Sequence, residues 1–89
     1  MSIQQFLERQ SPFGSFLSPE VIDLSPGKIK MRIPFRKEFI GNVSVPCIHG
    51  GAVSAIIDHC GGNCAWSGLN DITNTVSTVD IRVDYLRPA

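Results

Sequence analysis

The sequence predicts an α+β fold in which one long apolar helix lies against an antiparallel sheet. Three observations lead to this prediction. Residues 50–67 are apolar on nearly every face of a helix, residues 20–35 alternate as two paired strands do, and residues 73–87 alternate again. No repeat or linker divides the 89 residues, so they form one small domain at most.

A short helix is predicted first, over residues 2–10, where apolar side chains recur at helical spacing. Ser11-Pro12 is expected to end this helix, because the residue before a proline avoids the helical region. Phe13, Phe16 and Leu17 are then expected to dock the following connection onto the core.

Two strands, at residues 20–25 and 28–35, are predicted to form an antiparallel hairpin. Ser25-Pro26-Gly27 between them has the composition of a tight turn. Basic and apolar side chains alternate along the second strand, which is therefore half-buried with one wet face. The basic face carries Lys28, Lys30 and Arg32, and the apolar face carries Ile29, Met31, Ile33 and Phe35.

Residues 36–48 are predicted as a connection, and residues 50–67 as the main helix. Other structure has to wrap a helix with so little polar surface. The pair Gly61-Gly62 weakens the helix by about 1 kcal/mol per glycine relative to alanine, which favours close backbone packing against a sheet or a second copy of the helix.

Three strands offer too little surface to wrap this helix. We therefore expect residues 1–89 to be a single domain that is incomplete at its C-terminus. Further sequence, or a second chain, would supply the missing strands.

Composition excludes several classes of function. Eight basic and eight acidic residues give a formal charge of zero, which argues against a nucleic-acid surface. No apolar run reaches the roughly 18–20 residues that span a membrane, and the N-terminus lacks a secretory signal, so we expect a cytoplasmic protein that binds no membrane. Three cysteines without scaffold spacing also indicate a reducing compartment.

A metal site is conceivable at Cys60 and Cys64, which lie four positions apart beside His59. Buried free cysteines that fill small apolar spaces are far commoner. We therefore expect no metal and no resident cofactor.

The chemistry is expected on the main helix. Gly50 and Gly51 open it, and free N–H groups at a helix N-terminus suit a developing oxyanion. Asp58 is the only acidic residue between Glu38 and Asp71, and a carboxylate in apolar surroundings often has a chemical role. The alternatives are a tight entry turn for the glycines and an ordinary ion pair for the aspartate.

Gly51 and Asp58 are seven positions apart and return to nearly the same helix face. At about 1.5 Å per residue they are roughly 10.5 Å apart along the axis, too far to act on one carbonyl group. Two antiparallel copies of the helix about a two-fold axis would bring them together. An enzyme built on these residues is therefore an obligate dimer with two composite sites.

The chain also resembles a known family. Asn42, the run Ile48-His49-Gly50-Gly51, and Asp58 nine residues after the histidine are similar to the hotdog-fold acyl-CoA thioesterases of the phenylacetate-degradation (PaaI-like) branch of the 4HBT superfamily. Weaker similarities lie in Pro12-Phe13-Gly14, Pro26-Gly27-Lys28, Ser77-Thr78-Val79-Asp80 and Asp84-Tyr85-Leu86-Arg87-Pro88-Ala89.

The resemblance implies a hotdog fold, with a long central helix wrapped by an antiparallel sheet whose last strands are missing here. It implies hydrolysis of an aryl- or medium-chain acyl-CoA to the free acid and CoA, at a site shared between two subunits. It also implies a homodimer or a dimer of dimers, with CoA present only as part of the substrate.

The resemblance assigns the catalytic roles as follows. The Gly51 N–H polarises the thioester carbonyl, and Asp58 of the partner subunit is nucleophile or general base. Asn42 and His49 shape the site and position water or the thioester. The alternative for His49 is a structural hydrogen bond at the helix N-terminus, without proton transfer.

Four further residues complete the expected site. Thr78 matches a hydroxyl residue that assists the water, and Ser77 takes this role if the alignment slips by one. Gly50 contributes to substrate binding, and Arg87 is a candidate for contact with the CoA phosphates.

Two other functions stay open. A truncated hotdog could be a non-catalytic module that binds acyl-CoA or another polypeptide. A hotdog hydratase or dehydratase also uses an acid and a histidine near the central helix, but its motifs differ from His-Gly-Gly followed by Asp58, so it ranks last.

Overall fold

A computed structural model describes residues 10–69 and 75–89. Within these two ranges the architecture is α+β, with one long helix and two small antiparallel sheets, each of two strands. In chain order the elements are α1 (Pro12–Leu17), β1 (Glu20–Ser25), β2 (Lys28–Arg32), a 3-10 helix (Lys37–Phe39), β3 (Ile40–Asn42), β4 (Cys47–Ile48) and α2 (Gly50–Ser67). Residues 2–9 of the predicted first helix lie outside the described residues.

Ser11-Pro12 begins a helix that the sequence did not predict, and the helix that it was expected to end lies outside the described residues. The Ser11 hydroxyl accepts a hydrogen bond from the Gly14 N–H at 3.0 Å and caps α1. Proline is favourable in the first helical turn, because its missing N–H has no acceptor there anyway. Ser11-Pro12 is therefore the start of α1, where only a connection was expected.

The three apolar residues of α1 differ in how far they dock. Leu17 is buried at 1% exposure, as predicted, whereas Phe13 and Phe16 remain 53% and 40% exposed. The rings of Phe16 and the buried Phe39 pack edge to face, with their centroids 6.2 Å apart. The Arg36 guanidinium lies over the face of the Phe16 ring, 4.4 Å from its centroid.

The predicted hairpin of β1 and β2 is confirmed. It pairs from Glu20 opposite Arg32 to Ser25 opposite Lys28, with an irregularity between Val21 and Asp23. Its turn places Gly27 at φ 75°, a conformation that glycine adopts without strain.

The second strand is shorter than predicted. It ends at Arg32, and Phe35, which was expected on its apolar face, is 66% exposed. Pro34 has no N–H to continue the ladder, which accounts for the early end.

The main helix α2 is confirmed with the predicted bounds, Gly50–Ser67. It packs against β2, and its C-terminal end is held by the turn of the hairpin. The Gly27 N–H donates to the Ser67 hydroxyl at 3.1 Å, and the Cys64 thiol donates to the Gly27 carbonyl at 3.2 Å.

Within the described residues α2 packs against β2 but is only partly covered, and the strands expected to complete its wrapping were predicted to lie outside this chain. Asp58, expected in buried surroundings, is exposed, and so is its neighbour Ile57. A Cβ built at Gly61 or Gly62 would meet no atom within 4 Å, so neither glycine packs closely against the parts of the chain that the structure describes.

The connection before α2 contains a short hairpin that the sequence did not predict. Ile40 pairs with Ile48, and Asn42 pairs with Cys47. Gly41 passes so close to α2 that a Cβ there would lie 2.7 Å from the His49 Cα. The His49 N–H also donates to the Phe39 carbonyl at 2.6 Å, so β3 fixes the start of the helix.

The predicted strand over residues 73–87 is wrong for residues 75–87, which carry no strand assignment. A strand exists only with a hydrogen-bonding partner, and within residues 10–69 and 75–89 no neighbour forms a ladder with this segment. Val79, expected on an apolar face, is 98% exposed. Residues 75–89 instead run beside α2 and meet it through their side chains.

Candidate functional site

The N-terminus of α2 is capped by its own histidine. His49 is the N-cap residue, and its Nδ1 accepts a hydrogen bond from the Gly51 N–H at 2.8 Å. Because Nδ1 offers its lone pair, a neutral His49 carries its proton on Nε2. The Gly51 N–H, which was expected to polarise a carbonyl, is thus bonded to the imidazole of His49.

A tyrosine that the sequence reasoning did not assign to the site completes this turn. The Tyr85 hydroxyl donates to the Gly50 carbonyl at 2.7 Å and also contacts the Ser54 hydroxyl. A Cβ at Gly50 would lie 3.5 Å from the tyrosine ring, so the ring passes close to the helix backbone. The signal available in the sequence was the phenolic hydroxyl, which usually finds a partner when its ring lies against protein.

The middle of α2 carries the second cluster. The Thr78 hydroxyl donates to Asp58 Oδ1 at 2.5 Å, with both residues exposed. The structure thus brings together two predicted site residues that are distant in sequence. Ser77, the alternative to Thr78, is exposed beside it.

Next to this pair lies a cavity of about 300 Å³. Asp58 and Thr78 supply a carboxylate and a hydroxyl at its wall, while Trp66 and Val76 supply apolar surface. Among the described residues, the lining is Gln10, Ser11, Asp58, His59, Gly62, Asn63, Trp66, Thr75, Val76 and Thr78.

His59 forms another part of this wall. Burial lowers the pKa of His59 from its usual 6.5, while the neighbouring Asp58 charge acts in the opposite direction. The ring lies against α1, where a Cβ at Gly14 would approach its Cε1 to 2.6 Å. The Asn63 amide donates to the His59 carbonyl at 2.8 Å.

Two predicted site residues lie outside both clusters. The Asn42 side chain accepts hydrogen bonds from the N–H groups of Ser44 and Val45 at 2.9 and 3.3 Å, so it caps its own turn. Arg87 is exposed near the end of the 75–89 segment and does not line the cavity.

The helix therefore carries two clusters, one at each end of its N-terminal half. Gly50 and Gly51 belong to the first and Asp58 to the second, as the seven-position spacing requires. Within the described ranges, no group of three or more His, Cys, Asp or Glu side chains could hold a metal ion, and no helix is long and apolar enough to cross a membrane.

Comparison with known proteins points to one family. Residues 46–89, which include β4, α2 and the 75–89 segment, match the family model described as Thioesterase superfamily. No solved protein structure matches the chain.

Two curated relatives, both named "Putative esterase", are similar over most of the chain. The protein from Halobacterium salinarum is 36% identical over 77 residues, which cover 84% of this chain and 51% of the relative. The protein from Saccharolobus solfataricus is 30% identical over 87 residues, which cover 98% of this chain and 59% of the relative. The chain thus spans about half the length of the curated relatives it matches.

Proposed function

We propose that the chain is an acyl-CoA thioesterase of the hotdog, PaaI-like type, which hydrolyses an aryl- or medium-chain acyl-CoA in the cytoplasm. The hydrogen bond between Thr78 and Asp58 is the observation that carries this proposal. It ties an ionisable group to a hydroxyl at the wall of a cavity, within the region that matches the thioesterase family model.

In this proposal Asp58 acts as general base or nucleophile. Thr78 binds one oxygen of its carboxylate, which leaves the other for a water molecule. As a base, Asp58 takes a proton from the water while the water oxygen adds to the thioester carbon. The carbon–sulfur bond then breaks, and the sulfur leaves as the CoA thiol once it receives the proton.

The electrophile is activated across a dimer. Gly51 of the partner subunit donates its N–H to the carbonyl oxygen as negative charge develops there. Two antiparallel α2 helices would provide two such sites, in a homodimer or a dimer of dimers. His49 has to release the Gly51 N–H when the thioester arrives, so the cap and the substrate compete for one donor.

The acyl group has a place of suitable size. A protein cavity of about 150 Å³ can hold a benzene molecule. The cavity of about 300 Å³ next to Asp58 is therefore large enough for an aryl or medium-chain acyl group, with Trp66 and Val76 as its apolar surface. Arg87 is proposed to meet the CoA phosphates, and Asn42 to shape the approach.

The test is thiol release from a panel of aryl- and medium-chain acyl-CoA esters. Asp58→Asn is expected to lower kcat at least 100-fold, the lower end of what a positioned general base contributes. Asp80→Asn is the matched control, because Asp80 is an exposed aspartate of the 75–89 segment outside the cavity lining. A folded protein that leaves every ester intact contradicts the proposal.

A second candidate is a module that binds acyl-CoA, or another polypeptide, without turnover. The bond from the Gly51 N–H to His49 favours it, because it leaves that donor occupied. Its signature would be equilibrium binding of acyl-CoA that is unchanged by Asp58→Asn, with no release of thiol.

A further inference from the structure

We propose that Tyr85 is a positioning residue that orients and polarises the Gly50–Gly51 peptide for the thioester. This inference rests on the proposed function, in which the Gly51 N–H binds the carbonyl oxygen. Tyr85 itself touches neither substrate nor reacting atoms, and it acts through the peptide group that it contacts.

The geometry places one peptide group between two side chains. The carbonyl of Gly50 and the N–H of Gly51 belong to the same planar unit. Tyr85 donates to that carbonyl at 2.7 Å, and His49 accepts from that N–H at 2.8 Å. The two contacts fix the direction of the peptide plane at a position where two successive glycines leave the backbone free to rotate.

The same contact strengthens the donor. Hydrogen bonds in a chain polarise one another, so a bond donated to a carbonyl makes the N–H of that peptide a better donor. An oxyanion that replaces His49 as the acceptor gains from this polarisation. The effect grows as negative charge develops, and it therefore acts on the transition state more than on the bound substrate.

Ser54 adds one more hydrogen bond to this series. The tyrosine hydroxyl has a single proton, and it gives that proton to the Gly50 carbonyl. In the contact between the two hydroxyls Ser54 must then be the donor and Tyr85 the acceptor. The relay runs from Ser54 through Tyr85 to the Gly50–Gly51 peptide.

Burial does not account for the tyrosine contact. Tyr85 is 53% exposed, so water could satisfy its hydroxyl without any protein partner. The Gly50 carbonyl also has a second lone pair for the regular helical bond. The Tyr85–Gly50 bond is thus additional to what the fold of α2 requires.

The kinetic test is Tyr85→Phe in the full chain, assayed with an aryl acyl-CoA such as phenylacetyl-CoA. We expect kcat to fall about 3- to 10-fold, as for loss of one hydrogen bond, with KM changed less than twofold. Ser54→Ala should have a smaller effect of the same sign, and the double variant should be no slower than Tyr85→Phe, because Ser54 acts only through the tyrosine.

A spectroscopic readout separates positioning from structure. The amide proton of Gly51 should change its NMR chemical shift in Tyr85→Phe, whereas the amides of the C-terminal turn of α2 should not. An unmoved Gly51 resonance, an unchanged kcat, or additive effects of the two variants would overturn the inference. If Tyr85→Phe fails to fold, the inference is tested with Ser54→Ala, by the same measurements of kcat and of the Gly51 amide chemical shift.

Failure of the proposed function gives a different pattern. In that case the unmodified chain releases no thiol from any ester. The chemical shift of the Gly51 amide proton in the two variants then tests the hydrogen-bond relay without any kinetic measurement.

Discussion

The two ends of α2 are held in different ways. At the C-terminal end Trp66 and Ser67 are buried, and the side chains of Ser67 and Cys64 bond to the backbone of Gly27 in the turn of the β1–β2 hairpin. In the N-terminal half, Gly51 and Asp58 are exposed. That half is held by hydroxyl groups of the 75–89 segment and by the short β3–β4 hairpin.

This difference distinguishes the buried positions of the helix, which include Trp66 at the cavity wall, from the exposed positions that carry the polar groups of the proposed site. Removal of a buried side chain costs folding free energy, because it leaves a cavity and loses apolar contacts. Loss of one exposed hydrogen bond costs little stability, since water replaces the missing partner. Substitutions of buried residues at the C-terminal end should therefore lower the free energy of unfolding, and substitutions of exposed residues in the N-terminal half should change activity in a folded protein.

The largest expected effect on stability is that of Trp66→Ala. Trp66 is 7% exposed, and its truncation should lower the free energy of unfolding by about 3–5 kcal/mol. A domain of ordinary stability has only about 5–15 kcal/mol in total, so this variant should be at or near the point of unfolding. Urea titration followed by circular dichroism measures the change.

Leu86→Ala is the matched control for that experiment. Leu86 is also a large apolar residue, but it is 92% exposed in the 75–89 segment. Its truncation should change the free energy of unfolding by less than about 0.5 kcal/mol. Equal losses in the two variants would remove the proposed contrast between the ends of α2.

A smaller effect, on activity alone, is expected at Thr78. Thr78→Val keeps the shape of the side chain but removes the donor to Asp58, so kcat should fall about 10-fold, equivalent to about 1.4 kcal/mol. Thr78→Ser retains a hydroxyl and should keep most of the activity. A valine variant as active as the serine variant would mean that the Thr78–Asp58 bond plays no part in turnover.

The elements that local sequence determines were predicted well. The bounds of α2 follow from the two glycines that open it and from Gly68 after it, and the hairpin follows from the alternation and from the turn at Pro26-Gly27. The prediction of a strand over 73–87 was wrong for residues 75–87. An alternating pattern indicates which face of a segment could be buried, but it does not indicate which neighbouring strand would pair with that segment. The prediction that Asp58 is buried failed for the same reason, because the sequence does not show which neighbour covers that face of the helix.

The site was predictable only in part. Spacing along α2 correctly placed Gly51 and Asp58 in different clusters, since helix geometry fixes that distance. The Thr78–Asp58 pair followed from a resemblance, because no local rule relates residues twenty positions apart. Tyr85 was not predicted as a site residue. It was assigned to an alternating strand, and that assignment gave no reason to expect its hydroxyl to bond to Gly50.

The smallest expected effect is a dependence of stability on pH through His59, which lies between the two ends of α2. Burial lowers its pKa in the folded chain, so that below about pH 6.5 the unfolded chain binds more protons than the folded one. The free energy of unfolding should therefore be higher at pH 7.5 than at pH 5.5. His59→Gln should reduce this difference, as measured by urea titration at the two pH values.

Asp58→Asn tests the sign of that argument. The Asp58 charge raises the pKa of His59 and so partly offsets the effect of burial. Without this charge the folded chain should bind a proton still less readily, and the loss of stability between pH 7.5 and 5.5 should increase. An unchanged loss in Asp58→Asn would mean that the carboxylate and the imidazole are not coupled across this turn of α2. The exposed half of the helix would then influence the packed histidine less than their adjacency in sequence implies.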